Sequence, residues 1–134
     1  MKHLEVVAAV IEYDNKILCM QRNKAKFAYI SYKFEFPGGK VEPGEAKHEA
    51  LERELREEMA MDISIREENQ LITVEHTYPD FAITLHAYLC KVNSPHFIMR
   101  EHLSYQWLPV EEMNKLDWAA ADIPIVEYLQ TQRD

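Results

Sequence analysis

One stretch constrains this chain more than any other: Gly38 to Met61, GGKVEPGEAKHEALERELREEMAM. It opens on a glycine pair, turns through Glu42-Pro43-Gly44 and continues as a run of strong helix formers free of glycine and proline. Within that run Glu54, Glu57 and Glu58 stand at i, i+3 and i+4. On a helix this spacing gathers the three carboxylates on one face, roughly 100° wide. Leu51, Leu55 and Met59 recur at i, i+4 and i+8 as an adjacent apolar stripe. The stripe can seat the helix on a core while the carboxylates point into a cleft.

Three glutamates so close together repel one another. A hard divalent cation removes that repulsion. Mg²⁺ prefers oxygen ligands and takes a few carboxylates together with substrate phosphates and water. The alternative is a charge-rich helix face open to solvent. The preceding loop favours the ligand reading, because Gly38-Gly39 lets backbone approach a ligand closely and Lys40 adds a cation suited to phosphate.

The stretch resembles the signature of the Nudix hydrolases: Gly, five residues, Glu, seven residues, then Arg-Glu-apolar-x-Glu-Glu-x-Gly-apolar. Here Gly39 leads and Glu45 follows at the required spacing, and Arg53-Glu54-Leu55-Arg56-Glu57-Glu58-Met59 then precedes Ala60 and Met61. The one departure is Ala60, which stands where the family has glycine. That position ends the helix and often takes left-handed geometry, so a slightly different helix exit is expected. Along the rest of the chain the order of elements is similar to the MutT-like branch, and within it to bacterial CTP pyrophosphohydrolases. The matching pieces are Glu5-Val6-Val7-Ala8-Ala9-Val10-Ile11, Phe34-Glu35-Phe36, Leu85-His86-Ala87 and Ala121-Asp122-Ile123-Pro124.

With 134 residues the chain reads as one domain, 1–134, long enough for a substantial core. The net charge of −8 argues against long nucleic acid held on a basic surface, but not against a small phosphate ligand carried in with metal. Cys19 and Cys90 have no CxxC spacing and read as buried free thiols, which suits a reducing cytoplasm. The apolar opening carries Glu5 and Glu12 and reads as a strand rather than a signal peptide, and no run is long enough to span a membrane. Oligomeric state stays open between monomer and homodimer, the latter through an apolar edge strand.

In chain order, Leu4 to Tyr13 reads as a buried strand and Lys16 to Gln21 as its hairpin partner across an Asp14-Asn15 turn. Residues 23–33, NKAKFAYISYK, are basic and aromatic. They read as a surface loop with anchoring aromatics, or as a cover for a base or an entry for a triphosphate. Phe34-Glu35-Phe36 is a short strand leading to Pro37 and the glycines. Ile63 to His76 and Phe81 to Val92 both have strand character, with a turn at Tyr78-Pro79-Asp80. Trp107-Leu108 reads as a further strand, and Pro109 to Met113 starts a short helix. The last helix starts at Asp122-Ile123-Pro124, with Asp122 as a candidate N-cap and Ile125, Val126 and Leu129 as its apolar stripe. His48-Glu49 lacks the second histidine of an HExxH pattern, so His48, His76 and His86 read as structural.

The resemblance implies the Nudix fold, an α/β architecture with a mixed sheet sandwiched between helices. It also implies metal-dependent hydrolysis of a nucleoside triphosphate to monophosphate and pyrophosphate, with Mg²⁺ as cofactor and Mn²⁺ as a substitute. Glu54, Glu57, Glu58 and a backbone carbonyl of the glycine pair, Gly38 ahead of Gly39, would hold metal. Glu101 would be a further ligand or base, and Glu54 or Glu101 would take the proton from water. Arg22, Phe36, Gly39, Lys40 and Asp122 would contact the nucleotide, Phe36 as wall of the base pocket or as core and Asp122 at the edge of the base or as a cap. Arg53 is expected to hold the loop through Glu45. Cytidine nucleotides and oxidised purine nucleotides such as 8-oxo-dGTP are both reasonable substrates. Alternatives are a diphosphate derivative such as ADP-ribose, or a domain that senses nucleotide without turnover.

Overall fold

From Val6 to Ile11 the chain carries no polar side chain, and a strand so composed has to be covered on both faces. In the computed structural model, which describes residues 1–132, this run lies in strand β1 (Lys2–Tyr13), and Val7 through Ile11 are at most 2% exposed. Asp14 and Asn15 adopt φ of 53° and 61°, the paired left-handed geometry of a two-residue hairpin turn. They join β1 to antiparallel β2 (Lys16–Gln21).

After the hairpin end the two strands part. Short β3 (Phe34–Glu35) pairs with the far end of β2, and β4 (Gly38–Lys40) takes the edge of β1 that β2 has left, opposite Val6, Val7 and Ala8. Helix α1 (Lys47–Met59) follows, then the antiparallel pair β5 (Gln70–Thr77) and β6 (Phe81–Lys91). Strand β6 runs parallel to β1 along its length, so the sheet is mixed, in the order β3-β2-β1-β6-β5. Strand β7 (Ser104–Leu108) pairs antiparallel with β2, and α2 (Ile123–Thr131) closes the described chain.

Side chains of β1 alternate between two apolar clusters. Val7, Ala9 and Ile11 pack with Leu51, Leu55 and Met59 of α1 and with Tyr88. Ala8 and Val10 pack on the opposite face with Leu85, Met113, Trp118, and Ile125 and Val126 of α2. A mixed sheet between helices, the expected α/β sandwich, is therefore what these residues build. Cys19 and Cys90 are buried free thiols in opposite clusters, each pushed up to about 12 by burial, which makes both unreactive. Among the described residues no helix is long and apolar enough to cross a membrane.

Three local expectations need correction. Ile63 to His76 is not one strand, because pairing begins only at Gln70. Ile65 is buried beneath α1, and its N–H is taken by the Glu52 carboxylate at 2.7 Å, so this stretch packs on the helix and has no neighbouring strand. Glu67–Asn69 then forms a 3₁₀ turn. The segment after Pro109 is likewise 3₁₀, Val110–Lys115, rather than α. Finally, Ala60 does not alter the helix exit. It takes the left-handed conformation itself, at φ 54° and ψ 32°, with its N–H directed at the carbonyls of Arg56 and Leu55.

An alanine pays about 1–2 kcal/mol for that geometry, partly offset by the greater freedom glycine would have when unfolded. Ala60→Gly is therefore expected to raise unfolding free energy by about 0.5–1 kcal/mol. Urea denaturation checks this: the midpoint moves up at constant m-value, and an unmoved or lower midpoint contradicts strain at Ala60.

Candidate active site

Where β2 leaves β1, the sheet opens into a cleft of about 1050 Å³. Its walls come from β4, the carboxylate face of α1, residues 22–30, the β5–β6 hairpin and the residues just before α2. Arg22, Phe36, Gly38, Gly39, Lys40, Glu54, Glu57, Glu58, Glu101 and Asp122 all line it. Residues scattered from position 22 to position 122 thus reach one space. His48, His76 and His86 lie outside the lining, consistent with structural roles.

The glycine pair sets the closeness of the walls. A Cβ on Gly38 would run into the Val7 carbonyl oxygen of β1, and one on Gly39 would run into the Glu54 carboxylate. The space a side chain would fill at Gly39 is thus occupied by Glu54. Helix α1 then carries Glu58 deeper. Its Oε2 is buried with no hydrogen-bond partner. Burial, reinforced by the charges of Glu54 and Glu101, pushes the Glu58 carboxyl up to about 8. Glu54 is raised for the same first cause, with Arg53 acting against it and Glu57 and Glu101 adding to it.

Arg53 organises the loop between β4 and α1. Its Nε and Nη2 donate to the two oxygens of Glu45 at 2.7 and 3.0 Å, Nη2 also to the Lys40 carbonyl at 3.1 Å, and Nη1 to Glu57 at 3.3 Å. The bidentate pair holds the Glu45 carboxyl below its ordinary range. This is the loop-holding role expected for Arg53.

Glu101 reaches the cleft through an anchorage the sequence did not reveal. The Ile98 N–H donates to the Met59 carbonyl at 2.9 Å, and the Arg100 N–H to that of Glu58 at 3.3 Å. Arg100 Nη1 also donates to the carbonyls of Glu57 and Arg56, at 3.0 and 3.4 Å. A cation thus caps the carbonyl end of α1, where the helix dipole favours it. Beyond Glu101 the strap is tied to the end of β2: Leu103 N–H donates to the Gln21 carbonyl at 2.8 Å, and Asn23 Nδ2 to the Glu101 carbonyl at 2.9 Å. A lone basic residue in a loop offered no sequence signal for this.

At the other end of the cleft, Phe36 is 3% exposed and stacks on Trp118 with ring centroids 4.7 Å apart, so it is core and cleft wall at once. Asp122 precedes α2 but does not cap it. Its Oδ2 instead accepts the Phe36 N–H at 3.0 Å, a correction to the capping role. Burial and the charge of Glu35 push this carboxyl well above the usual range. The 23–33 loop is anchored by its aromatics: Phe27 against Phe81 at 5.8 Å, Tyr29 against Tyr78 at 5.3 Å, and Tyr29 Oη donating to Asp80 at 2.9 Å. Phe27 and Ile30 then form wall opposite Ile83 and Leu85.

The cleft is acidic at one end and apolar with a few polar groups at the other, a shape for a flat ring joined to a phosphate chain. The donor set suits a hard divalent cation, and the unpartnered Glu58 Oε2 is the kind of oxygen such an ion satisfies. Among the described residues no three Asp, Glu, His or Cys groups converge as a ready coordination shell.

The NUDIX domain family matches residues 1–129. The chain is 38% identical over 143 aligned positions to the CTP pyrophosphohydrolase of Escherichia coli K12, covering 99% of this chain and 96% of that protein. It is 30% identical to the 8-oxo-dGTP diphosphatase of the same organism, covering 97% and 98%. The solution structure of the E. coli ORF135 protein superimposes with a TM-score of 0.84 at 36% identity, covering 99% of this chain and 92% of that one.

Gly38→Ala is expected to destabilise the protein by about 2–3 kcal/mol, because the new methyl meets backbone that cannot yield. Gly39→Ala meets the end of a flexible side chain and is expected to cost under about 1 kcal/mol while displacing Glu54. Thermal unfolding of the two variants side by side checks the difference, and equal losses contradict it.

Proposed function

The chain belongs to the Nudix hydrolase family, and from that premise we propose that it hydrolyses a nucleoside triphosphate to the monophosphate and pyrophosphate, residues 1–134 acting as one catalytic domain. The single observation that carries the reading is Glu58 Oε2, buried without a partner in a cleft it shares with Glu54, Glu57 and Glu101. Mg²⁺, with Mn²⁺ as a substitute, is the fitting cofactor. Glu54, Glu57, Glu58, Glu101 and the Gly38 carbonyl are the groups that would hold it. Bound there, the ion supplies charge against the roughly four negative charges of a triphosphate, polarises the phosphoryl oxygens and lowers the pKa of the attacking water.

The chain's own residues do the rest. Glu54 or Glu101 accepts the proton of the water as its oxygen bonds to phosphorus. The anhydride bond between the α and β phosphates breaks, and the bridging oxygen leaves with the bonding electron pair, giving monophosphate and pyrophosphate. Lys40, exposed at the rim, and Arg22 meet phosphate oxygens. Gly39, which lines the cleft, meets the nucleotide through its backbone, the place of a side chain being taken by Glu54. Phe36 walls the base site, and Asp122, beside it, reads the base edge. The two E. coli relatives are named for CTP and 8-oxo-dGTP, so a cytidine or oxidised purine nucleotide is the substrate class we assign. Buried free thiols support a cytoplasmic setting.

Incubation with Mg²⁺ and CTP, dCTP, 5-methyl-dCTP, 8-oxo-dGTP, dGTP or ADP-ribose, with products resolved by chromatography, tests this. Monophosphate and pyrophosphate are expected from at least one triphosphate, and none after chelation. Glu57→Gln or Glu58→Gln is expected to lower kcat at least about 100-fold, close to 3 kcal/mol in the barrier. Turnover of ADP-ribose alone, or nucleotide binding by calorimetry without any turnover, overturns the reading.

A further inference from the structure

Between the acidic end and the base end of the cleft lies a chain of three side chains. Glu35, at the end of β3, accepts from Arg22 Nη1 at 3.3 Å through one oxygen and from His102 Nε2 at 3.0 Å through the other. The His102 side chain is only 6% exposed and that of Arg22 39% exposed, and both line the cleft together with Glu35. A carboxylate only accepts, so Nε2 is the protonated nitrogen of His102.

We propose that His102 is a positioning residue for the reaction: by holding Glu35 it keeps the Arg22 guanidinium aimed into the nucleotide site. The backbone supports the same assignment. Leu103 N–H donates to the Gln21 carbonyl, Asn23 Nδ2 to the Glu101 carbonyl, and Arg22 N–H to the Lys33 carbonyl at 2.9 Å. Residues 101–103 are thus laced to 21–23, with Arg22 at the centre.

The physical gain is preorganisation. A free arginine samples many rotamers and loses them when it binds phosphate. Held by Glu35, it has lost them already. Without His102, one oxygen of Glu35 has no partner and the carboxylate is free to swing away with the guanidinium. Because Arg22 contacts the nucleotide on binding, loss of its fixing reads in KM and not in kcat. Were His102 instead to act on its neighbour Glu101, kcat would fall.

The inference rests on the proposed triphosphate hydrolysis, so wild-type turnover is measured first, and its absence counts against that reading alone. On the triphosphate that is turned over, His102→Asn, whose amide is too short to reach Glu35, is expected to raise KM about tenfold with kcat within about threefold. His102→Gln, whose Nε2 stands where the imidazole Nε2 stood, is expected to keep KM near wild type. Combined with Glu35→Gln, His102→Asn is expected to add nothing. His102→Met repeats the loss with a side chain of similar bulk, and melting curves control for folding. CMP binding by calorimetry gives the same comparison without turnover. A fall in kcat at constant KM, no rescue by glutamine, or additive effects in the double variant overturns the proposal.

Discussion

Everything in the cleft depends on how near β4 comes to β1 and α1. At Gly38 the limit is backbone, the Val7 carbonyl, and at Gly39 it is the Glu54 carboxylate. No larger residue fits without moving one of them. That closeness lets β4 take over the edge of β1 after β2 has turned away. It also brings the acidic face of α1 to the open seam of the sheet, where the cleft forms. The apolar stripe of α1 then sets depth: Leu51, Leu55 and Met59 are fully buried, so Glu54 and Glu58 are drawn partly under the surface while Glu57 stays exposed.

Placing carboxylates there has an electrostatic cost, and the fold distributes cations around it rather than inside it. Arg53 takes Glu45 and touches Glu57 from the loop side. Arg100 caps the carbonyl end of the same helix. Neither reaches Glu58 Oε2, which is left without a partner. An arrangement that places its arginines on the frame and leaves the innermost carboxylate oxygen bare keeps that carboxyl ionised only with a further cation in reach. The family's divalent-metal chemistry and the local electrostatics of this chain therefore ask for the same thing.

Much of this was legible because it is local. Glu54, Glu57 and Glu58 share a face through helical periodicity alone, and the Arg53–Glu45 pair spans only eight positions, most of them the first turns of α1. Strand character misled at Ile63 to Arg66, where the buried residues pack on α1 instead of pairing in a sheet. At Asp122 the position before a helix suggested a cap, but its carboxylate accepts the Phe36 N–H, just past β3 and 86 positions earlier.

The sequence by itself determined the two-sided burial of β1, the glycine approach and the acidic helix face, since each is written in spacing over a few turns or strands, and the reaction class came through the family resemblance those residues carry. Only the tertiary structure decided that Arg100 caps α1, that Asp122 serves Phe36 and that His102 meets Glu35 across 67 positions and Arg22 meets it across 13. Those contacts depend on where β2 and β3 run relative to the strap before β7. That placement is set by the packing of the whole sheet, and no local period encodes it.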